Sequence, residues 1–123
     1  MTRNTYPREL RLLTPADFQL VFDNPPVKAV TAQVTVLAQP NTLPHPRLGI
    51  TVSKKRARLA VQRNRIKRIM RETYRLQQHK LPGFDIIVIA KPGITNLDNP
   101  ALHDLMNYLW QKLSKRCKQY QSR

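Results

Sequence analysis

Basic side chains are concentrated between residues 54 and 75. One acidic residue, Glu72, lies among ten basic ones: Lys54, Lys55, Arg56, Arg58, Arg63, Arg65, Lys67, Arg68, Arg71 and Arg75. At about 100° per residue, positions 64, 68, 71 and 75 share one face of a helix. Arginine presents a planar fork of donors that can bind two phosphate oxygens or stack on an unpaired base. A charge run is often only a solvated face, but ten bases against one acid favour an RNA-binding surface.

The whole chain is strongly basic as well. Its 123 residues include 22 Lys and Arg against 7 Asp and Glu, a formal net charge of +15 at pH 7. Binding to a polyanion would release condensed counterions from its phosphates, so nucleic acid is the expected partner. The longest apolar run, residues 86–90, is far shorter than the roughly 20 residues that cross a bilayer, and no membrane partner is expected. Residues 1–13 do not resemble a secretory signal, and Cys117 has no partner for an internal disulfide, which favours a cytoplasmic location.

Candidate catalytic groups are few. Metal-dependent cleavage of a phosphodiester usually needs clustered carboxylates that hold divalent ions. The seven acidic residues are dispersed along the chain: Glu9, Asp17, Asp23, Glu72, Asp85, Asp98 and Asp104. The three histidines, at positions 45, 79 and 103, have no metal-ligand spacing. We therefore expect no catalytic residue and no metal site in this chain, so that any cleavage chemistry would belong to a partner.

The elements that must position the basic residues follow from hydrophobic periodicity and from the proline and glycine positions. Helices are predicted over 14–23, 59–78 and from Asp98 or Asn99 to about 118. Strands are predicted over 27–39, as one bent strand or two short ones, over 48–53, and over 84–90 as a strand buried on both faces. The helix over 59–78 is amphipathic, with Val61, Ile66, Ile69, Met70 and Thr73 at helical spacing. This order predicts a single α+β domain over 1–123 with a mixed sheet covered mainly on one side, and flexible tails at 1–6 and 119–123.

Several motifs resemble one known family. Val-Ser-Lys-Lys at 52–55 is followed by Arg-Asn-Arg-Ile-Lys-Arg-Ile-Met-Arg-Glu at 63–72, which is similar to the Arg-Asn-Arg signature of the bacterial ribonuclease P protein. Further similar stretches are Pro-Arg-Glu-Leu-Arg-Leu at 7–12, Phe-Gln-Leu-Val-Phe at 18–22, Pro-Arg-Leu-Gly-Ile-Thr at 46–51 and Phe-Asp-Ile-Ile-Val-Ile-Ala-Lys at 84–91. The resemblance covers nearly the whole chain, and these stretches follow one another in the same order as in the family.

This resemblance implies an α-β-β-β-α-β-α domain, also found in a ribosomal protein, with a left-handed crossover around the signature helix. It implies a non-catalytic subunit that binds a catalytic RNA and precursor tRNA, with Mg²⁺ held mainly by the RNA. Together with the helical face described above, it assigns RNA binding to Lys54, Lys55, Arg63, Asn64, Arg65, Arg68, Arg71 and Arg75.

The resemblance also implies a cleft between the first helix and the sheet that receives the single-stranded 5′ leader of precursor tRNA. Its matching positions are Phe18, Phe22 and, on the cleft floor, Val36. Rings four residues apart on a helix can stack on unpaired bases, but the spacing by itself favours core residues. With the resemblance added, the binding and core roles are about equally expected, and one ring can serve both.

Two other functions remain open at this point. One is a ribosomal or other structural RNA-binding protein of the same fold. The other is a DNA-binding regulator that uses the 60–78 helix in a major groove. The second is disfavoured because a helix-turn-helix needs a preceding helix, whereas a strand is predicted there. We therefore expect no DNA partner.

Overall fold

A four-stranded mixed sheet is the centre of the part of the chain that the structure, a computed structural model, describes. That part comprises residues 15–23 and 25–122, with side chains described from residue 19 onwards. The strands are β1 (Val27–Val30), β2 (Val34–Pro40), β3 (Arg47–Thr51) and β4 (Phe84–Ala90), in the spatial order β1-β2-β4-β3. β2 is antiparallel to both β1 and β4, and β3 is parallel to β4. The sheet is therefore mixed, as predicted.

The segment over 27–39 forms a hairpin of two strands rather than one bent strand. Thr31 closes its turn, because its hydroxyl donates to the Val34 carbonyl oxygen at 2.8 Å and accepts from the Val34 N–H at 3.1 Å. The Thr31 N–H also donates to that carbonyl, at 2.9 Å. A threonine side chain thus closes a turn that contains no glycine. Without a glycine in the turn, the sequence does not distinguish one bent strand from two short ones.

Three helices within the described residues complete the fold: α1 (Pro15–Asp23), α2 (Ala60–Gln77) and α3 (Asn99–Gln121). Short 3-10 turns at Gln78–Lys80 and Ile94–Asn96 flank β4. The resulting order, α-β-β-β-α-β-α, confirms the prediction, while the hand of the crossover from β3 through α2 to β4 stays a prediction. No helix in these described ranges combines the length and apolar character needed to cross a membrane.

The last helix begins as predicted and ends later. Asp98 caps α3, because its carboxylate accepts from the Ala101 N–H at 2.9 Å, and Pro100 occupies the first turn. The helix continues to Gln121, so residues 119–121 are helical where a flexible tail was predicted. Tyr120 explains the extension, since its ring makes an edge contact with Phe84 at a centroid distance of 6.2 Å. The predicted tail at 1–6 lies outside the described residues.

The two faces of the sheet pack against different helices. On one face, alternate strand residues such as Val36 and Ile86 join α2 and α3 in the main core. On the other face, Leu37 and Ile87 pack against Val21 of α1 in a smaller cluster. We call this second surface the α1 face. β4 has buried side chains on both faces, as its apolar run predicted.

Val61 is the exception to the predicted apolar side of α2. It is 69% exposed, while Ile66, Ile69 and Met70 are fully buried. Five residues separate Val61 from Ile66, a rotation of about 140° about the helix axis, so the two side chains cannot share a narrow buried stripe. The buried side of α2 therefore begins at Ile66.

Candidate nucleic-acid interface

The exposed side of α2 carries the predicted basic stripe. Asn64, Arg68 and Arg71 are exposed and Arg75 is partly buried, while the opposite side is in the core. The apolar residues have to face the sheet and α3, so burial turns the arginines outward. Together with Lys54 and Lys55, these four residues are called the basic surface below.

The loop between β3 and α2 brings Lys54 and Lys55 to the start of the helix. The Ser53 carbonyl oxygen accepts from the N–H groups of Arg56 and Ala57, each at 3.0 Å, which folds the loop into a tight turn. Ala57 is 1% exposed and anchors this turn in the core, while both lysines are exposed. A groove of about 550 Å³ follows the loop, lined by Lys55, Arg56, Arg58, Leu59, Gln62 and Thr95. Its charge suits an anionic partner.

Arg63 and Arg65 differ from the rest of the predicted RNA-binding set, because their guanidinium groups bind other parts of the protein. Arg63 Nη1 donates to the carbonyl oxygens of Ala57 and Arg58, both at 2.9 Å. Arg65 donates to the Leu97 carbonyl oxygen at 3.1 Å and to Asn99 Oδ1 at 2.9 Å. Spacing alone does not reveal these contacts, since they join residues up to 34 positions apart.

Trp110 of α3 fixes the position of α2. Its indole N–H donates to the Thr73 hydroxyl oxygen at 2.8 Å, and that hydroxyl donates to the Ile69 carbonyl oxygen at 2.8 Å. Tyr74 makes an edge contact with the same indole at a centroid distance of 5.3 Å. No motif in the sequence points to this role of Trp110; a single tryptophan within an apolar helical stripe is the available signal.

Of the three predicted cleft residues, Phe22 lies where a ligand could reach it. It is 44% exposed on α1 and directly follows Val21, which packs in the cluster with Leu37 and Ile87. Phe18 belongs to the same helix, but its side chain lies outside the described residues. Phe22 is thus not one of the buried core residues, and its binding role stays a prediction.

The placement of Val36 on the cleft floor is wrong. Val36 is fully buried in the main core, on the side of the sheet that packs against α2 and α3. Successive side chains of a strand point to opposite faces, so the neighbours Thr35 and Leu37 face α1 instead. Leu37 is confirmed there by its packing against Val21. The residues of β2 that face α1 are therefore Thr35 and Leu37, each one position away from the predicted Val36.

An ion pair between Arg47 and Asp85, which sequence spacing does not reveal, lies at the end of the α1 face. Arg47 of β3 donates to Asp85 of β4 through Nε and Nη2, at 2.8 and 2.7 Å, and the two residues are register partners. Asn41 Nδ2 also donates to this carboxylate, at 2.9 Å. These bonds tie the loop after β2 to the sheet, and they assign Asp85 a structural role.

The remaining reactive groups among the described residues are a buried thiol and dispersed acidic and histidine side chains. Burial raises the pKa of the Cys117 thiol to about 12, which keeps it protonated and unreactive at neutral pH. Within the described ranges, no three His, Cys, Asp or Glu side chains are grouped so that they could hold a metal ion. The described residues therefore do not fit a magnesium ion held by protein ligands alone.

Comparisons with known proteins agree with this architecture. The family model described as Ribonuclease P matches residues 6–114. The ribonuclease P protein component of Idiomarina loihiensis is 71% identical over 119 residues, covering 97% of this chain and 95% of that protein. A structure of the Staphylococcus aureus RNase P protein is 31% identical with a TM-score of 0.79, covering 88% of this chain and 97% of that one. The Thermotoga maritima RNase P protein, in complex with 1-(4-fluorophenyl)-2-thiourea, is 33% identical with a TM-score of 0.71, covering 82% and 98%.

Proposed function

The chain belongs to the ribonuclease P protein family, the protein components of a tRNA-processing endoribonuclease, and from this premise we propose how it divides the work with its RNA. The protein binds the catalytic RNA through the basic surface and the 5′ leader of precursor tRNA through the cleft beside α1. The RNA subunit performs the cleavage that generates the mature 5′ end. The complex acts in the cytoplasm.

The exposed basic side of α2 is the observation that carries this proposal. Asn64, Arg68 and Arg71 project from a helix whose other side is buried in the core, so their positions relative to one another are fixed before RNA arrives. Arginines carried by a helix that is already folded gain binding free energy from counterion release without first having to order a flexible backbone segment. The net charge of +15 adds long-range attraction to the same partner.

We assign the cleavage chemistry to the RNA because the described acidic residues either make structural contacts or lie too far from one another to share a metal ion. Asp85 pairs with Arg47, and Asp98 caps α3. Phosphate and base oxygens of the RNA are suitable ligands for Mg²⁺, a hard cation that prefers oxygen. We therefore propose that the RNA holds the magnesium ions. The protein lowers the repulsion between the two RNAs and so reduces the magnesium concentration that the reaction requires.

Reconstitution tests this division directly. The protein, the catalytic RNA and precursor tRNA are combined, and cleavage is followed by gel electrophoresis over a magnesium titration. We expect cleavage by the RNA and protein together at magnesium concentrations where the RNA alone is inactive, and none by the protein alone. A basic polypeptide of similar net charge controls for unspecific neutralisation. Cleavage by the protein without RNA would contradict the proposal, as would an effect equalled by the control.

The leader is proposed to lie across the α1 face near Phe22, Thr35 and Leu37. Phe22 supplies an exposed aromatic ring, and Leu37, 9% exposed, belongs to the sheet surface beneath α1. An unpaired base can stack on a ring of this kind with little dependence on its identity, which suits leaders of varied sequence. This assignment replaces Val36 with the two residues that flank it.

A single substitution in α1 tests the leader contact. Phe22→Ala should weaken binding of leader-bearing precursor tRNA to the holoenzyme by about 1 kcal/mol or more, the free energy of one stacked base. Binding of leaderless tRNA should not change, because that substrate does not reach α1. Leu20→Ala is the matched control, since Leu20 is an apolar side chain on the same helix and is 60% exposed. Equal losses for the two substrates would exclude the contact.

A further inference from the structure

Two arginines of the signature are already engaged by the protein itself. Arg63 Nη1 donates to the carbonyl oxygens of Ala57 and Arg58. Arg65 donates through Nη1 to Leu97 and Asn99, and through Nε and Nη2 to Gln62 Oε1 at 3.1 and 2.9 Å. Arg65 thus uses all three of its nitrogens on protein acceptors. A phosphate could take their place only if these bonds were broken.

Apart from Gln62 of α2 itself, the acceptors of the two arginines lie in the loop before α2 and in the segment that leads from β4 into the first residue of α3. Arg63 holds the loop that carries Lys54, Lys55, Arg56 and Arg58. Arg65 holds the segment between β4 and α3, at Leu97 and Asn99. Both loops border the basic groove, one through Lys55 and the other through Thr95. The two guanidinium groups therefore determine how the loops are placed relative to the helix.

Asn64, Arg68 and Arg71 show the opposite arrangement. All three are exposed, and within residues 15–23 and 25–122 none of their side chains has a protein hydrogen-bond or ion-pair partner. Their donors can bind phosphate oxygens without any loss of protein contacts. The signature helix thus contains two kinds of polar residue, one directed into the protein and one directed away from it.

We propose that Arg63 and Arg65 are positioning residues, and that they place the loop cations beside Asn64, Arg68 and Arg71, which contact the RNA. This inference rests on the proposed function. The predicted RNA-binding residues thus fall into two groups. Removal of a contact residue deletes one phosphate contact, whereas removal of a positioning residue displaces several cations at once. Charge alone does not perform this role. Arg65 binds its acceptors with all three guanidinium nitrogens, and Arg63 reaches two carbonyl oxygens with Nη1 at the far end of its side chain.

Lysine substitutions separate the two roles, because they keep the net charge and remove the guanidinium group that makes these bonds. The measurement is the affinity of the protein for the catalytic RNA over a salt series, with Arg68→Lys as the matched control on the same helix. For Arg63→Lys and Arg65→Lys we expect a loss of about tenfold in affinity, and a slope of log K against log salt that is smaller by about one unit or more. For Arg68→Lys we expect an unchanged slope, since an ammonium group still neutralises its phosphate. A smaller slope at constant charge requires that other cations have moved.

Asn99→Ala provides a second, uncharged test, which does not depend on the folding of the lysine variants. Asn99 is exposed, and this change removes one acceptor of Arg65 while leaving the Asp98 cap in place. We expect it to weaken RNA binding by about threefold and to add little to the effect of Arg65→Lys, because both act on one contact. Wild-type slopes for both lysine variants, together with wild-type affinity for Asn99→Ala, would overturn the inference. Failure of the wild-type protein to bind the catalytic RNA would instead overturn the proposed function.

Discussion

Replacement of both Arg68 and Arg71 by alanine is expected to weaken binding of the catalytic RNA about 50-fold near 0.1 M salt, and to reduce the salt slope by about two units. The physical reason is counterion release, which contributes roughly sevenfold in affinity per phosphate contact at this salt concentration. Both side chains are exposed, so the substitutions should leave the free energy of unfolding within about 0.5 kcal/mol of the wild type. Filter binding over a salt series measures both quantities.

A control of equal charge distinguishes a defined contact from general attraction. Lys115 and Lys118 are exposed on α3, outside the basic surface, and their double alanine variant loses the same two charges. We expect that variant to keep the wild-type slope within about half a unit. If the two double variants lose affinity and slope equally, the RNA senses net charge alone, and the basic surface has no special role.

Trp110→Ala is expected to destabilise the protein by about 3–5 kcal/mol, the usual range for removal of a fully buried tryptophan. Trp110 is 0% exposed and joins α3 to α2 through the Thr73 hydroxyl and the Tyr74 ring. The substitution creates a cavity between the two helices and removes a buried hydrogen bond. Because α2 carries the basic surface, we also expect RNA binding to weaken as the folded fraction falls. Urea unfolding followed by circular dichroism measures the loss, since the variant has no tryptophan fluorescence.

Trp110→Phe separates the two contributions of the indole. Phenylalanine keeps most of the packing but cannot donate to Thr73, so we expect a loss of about 1–2 kcal/mol. Thr73 retains its bond to the Ile69 carbonyl oxygen in this variant, which limits the cost. If Trp110→Ala were as stable as Trp110→Phe, the indole would not be the contact that holds α2 to α3.

Features that depend on neighbouring residues in the chain were predictable from the sequence. The bounds of α2 follow from a stretch without glycine or proline that has apolar residues at helical spacing, and they agree with the structure to within one residue at each end. The Asp98 cap and the buried strand β4 were also predicted, because a cap and a strand are short-range patterns. The basic stripe is of the same kind, since a helix converts spacing directly into a face. The family resemblance added that three strands, rather than two, precede the second helix.

Features that depend on distant residues were decided by the tertiary structure. Alternation along β2 places Val36 and Leu37 on opposite faces of the sheet, but which of them faces α1 depends on where that helix packs. Two partners of Arg65, Leu97 and Asn99, lie more than 30 positions away, and the same holds for Thr73 as partner of Trp110 and for Arg47 as partner of Asp85. Each of these contacts arises because the sheet and the three helices bring separate segments together. The sequence therefore determined that this protein has a basic helix, and the fold decided which of its arginines are left to meet another molecule.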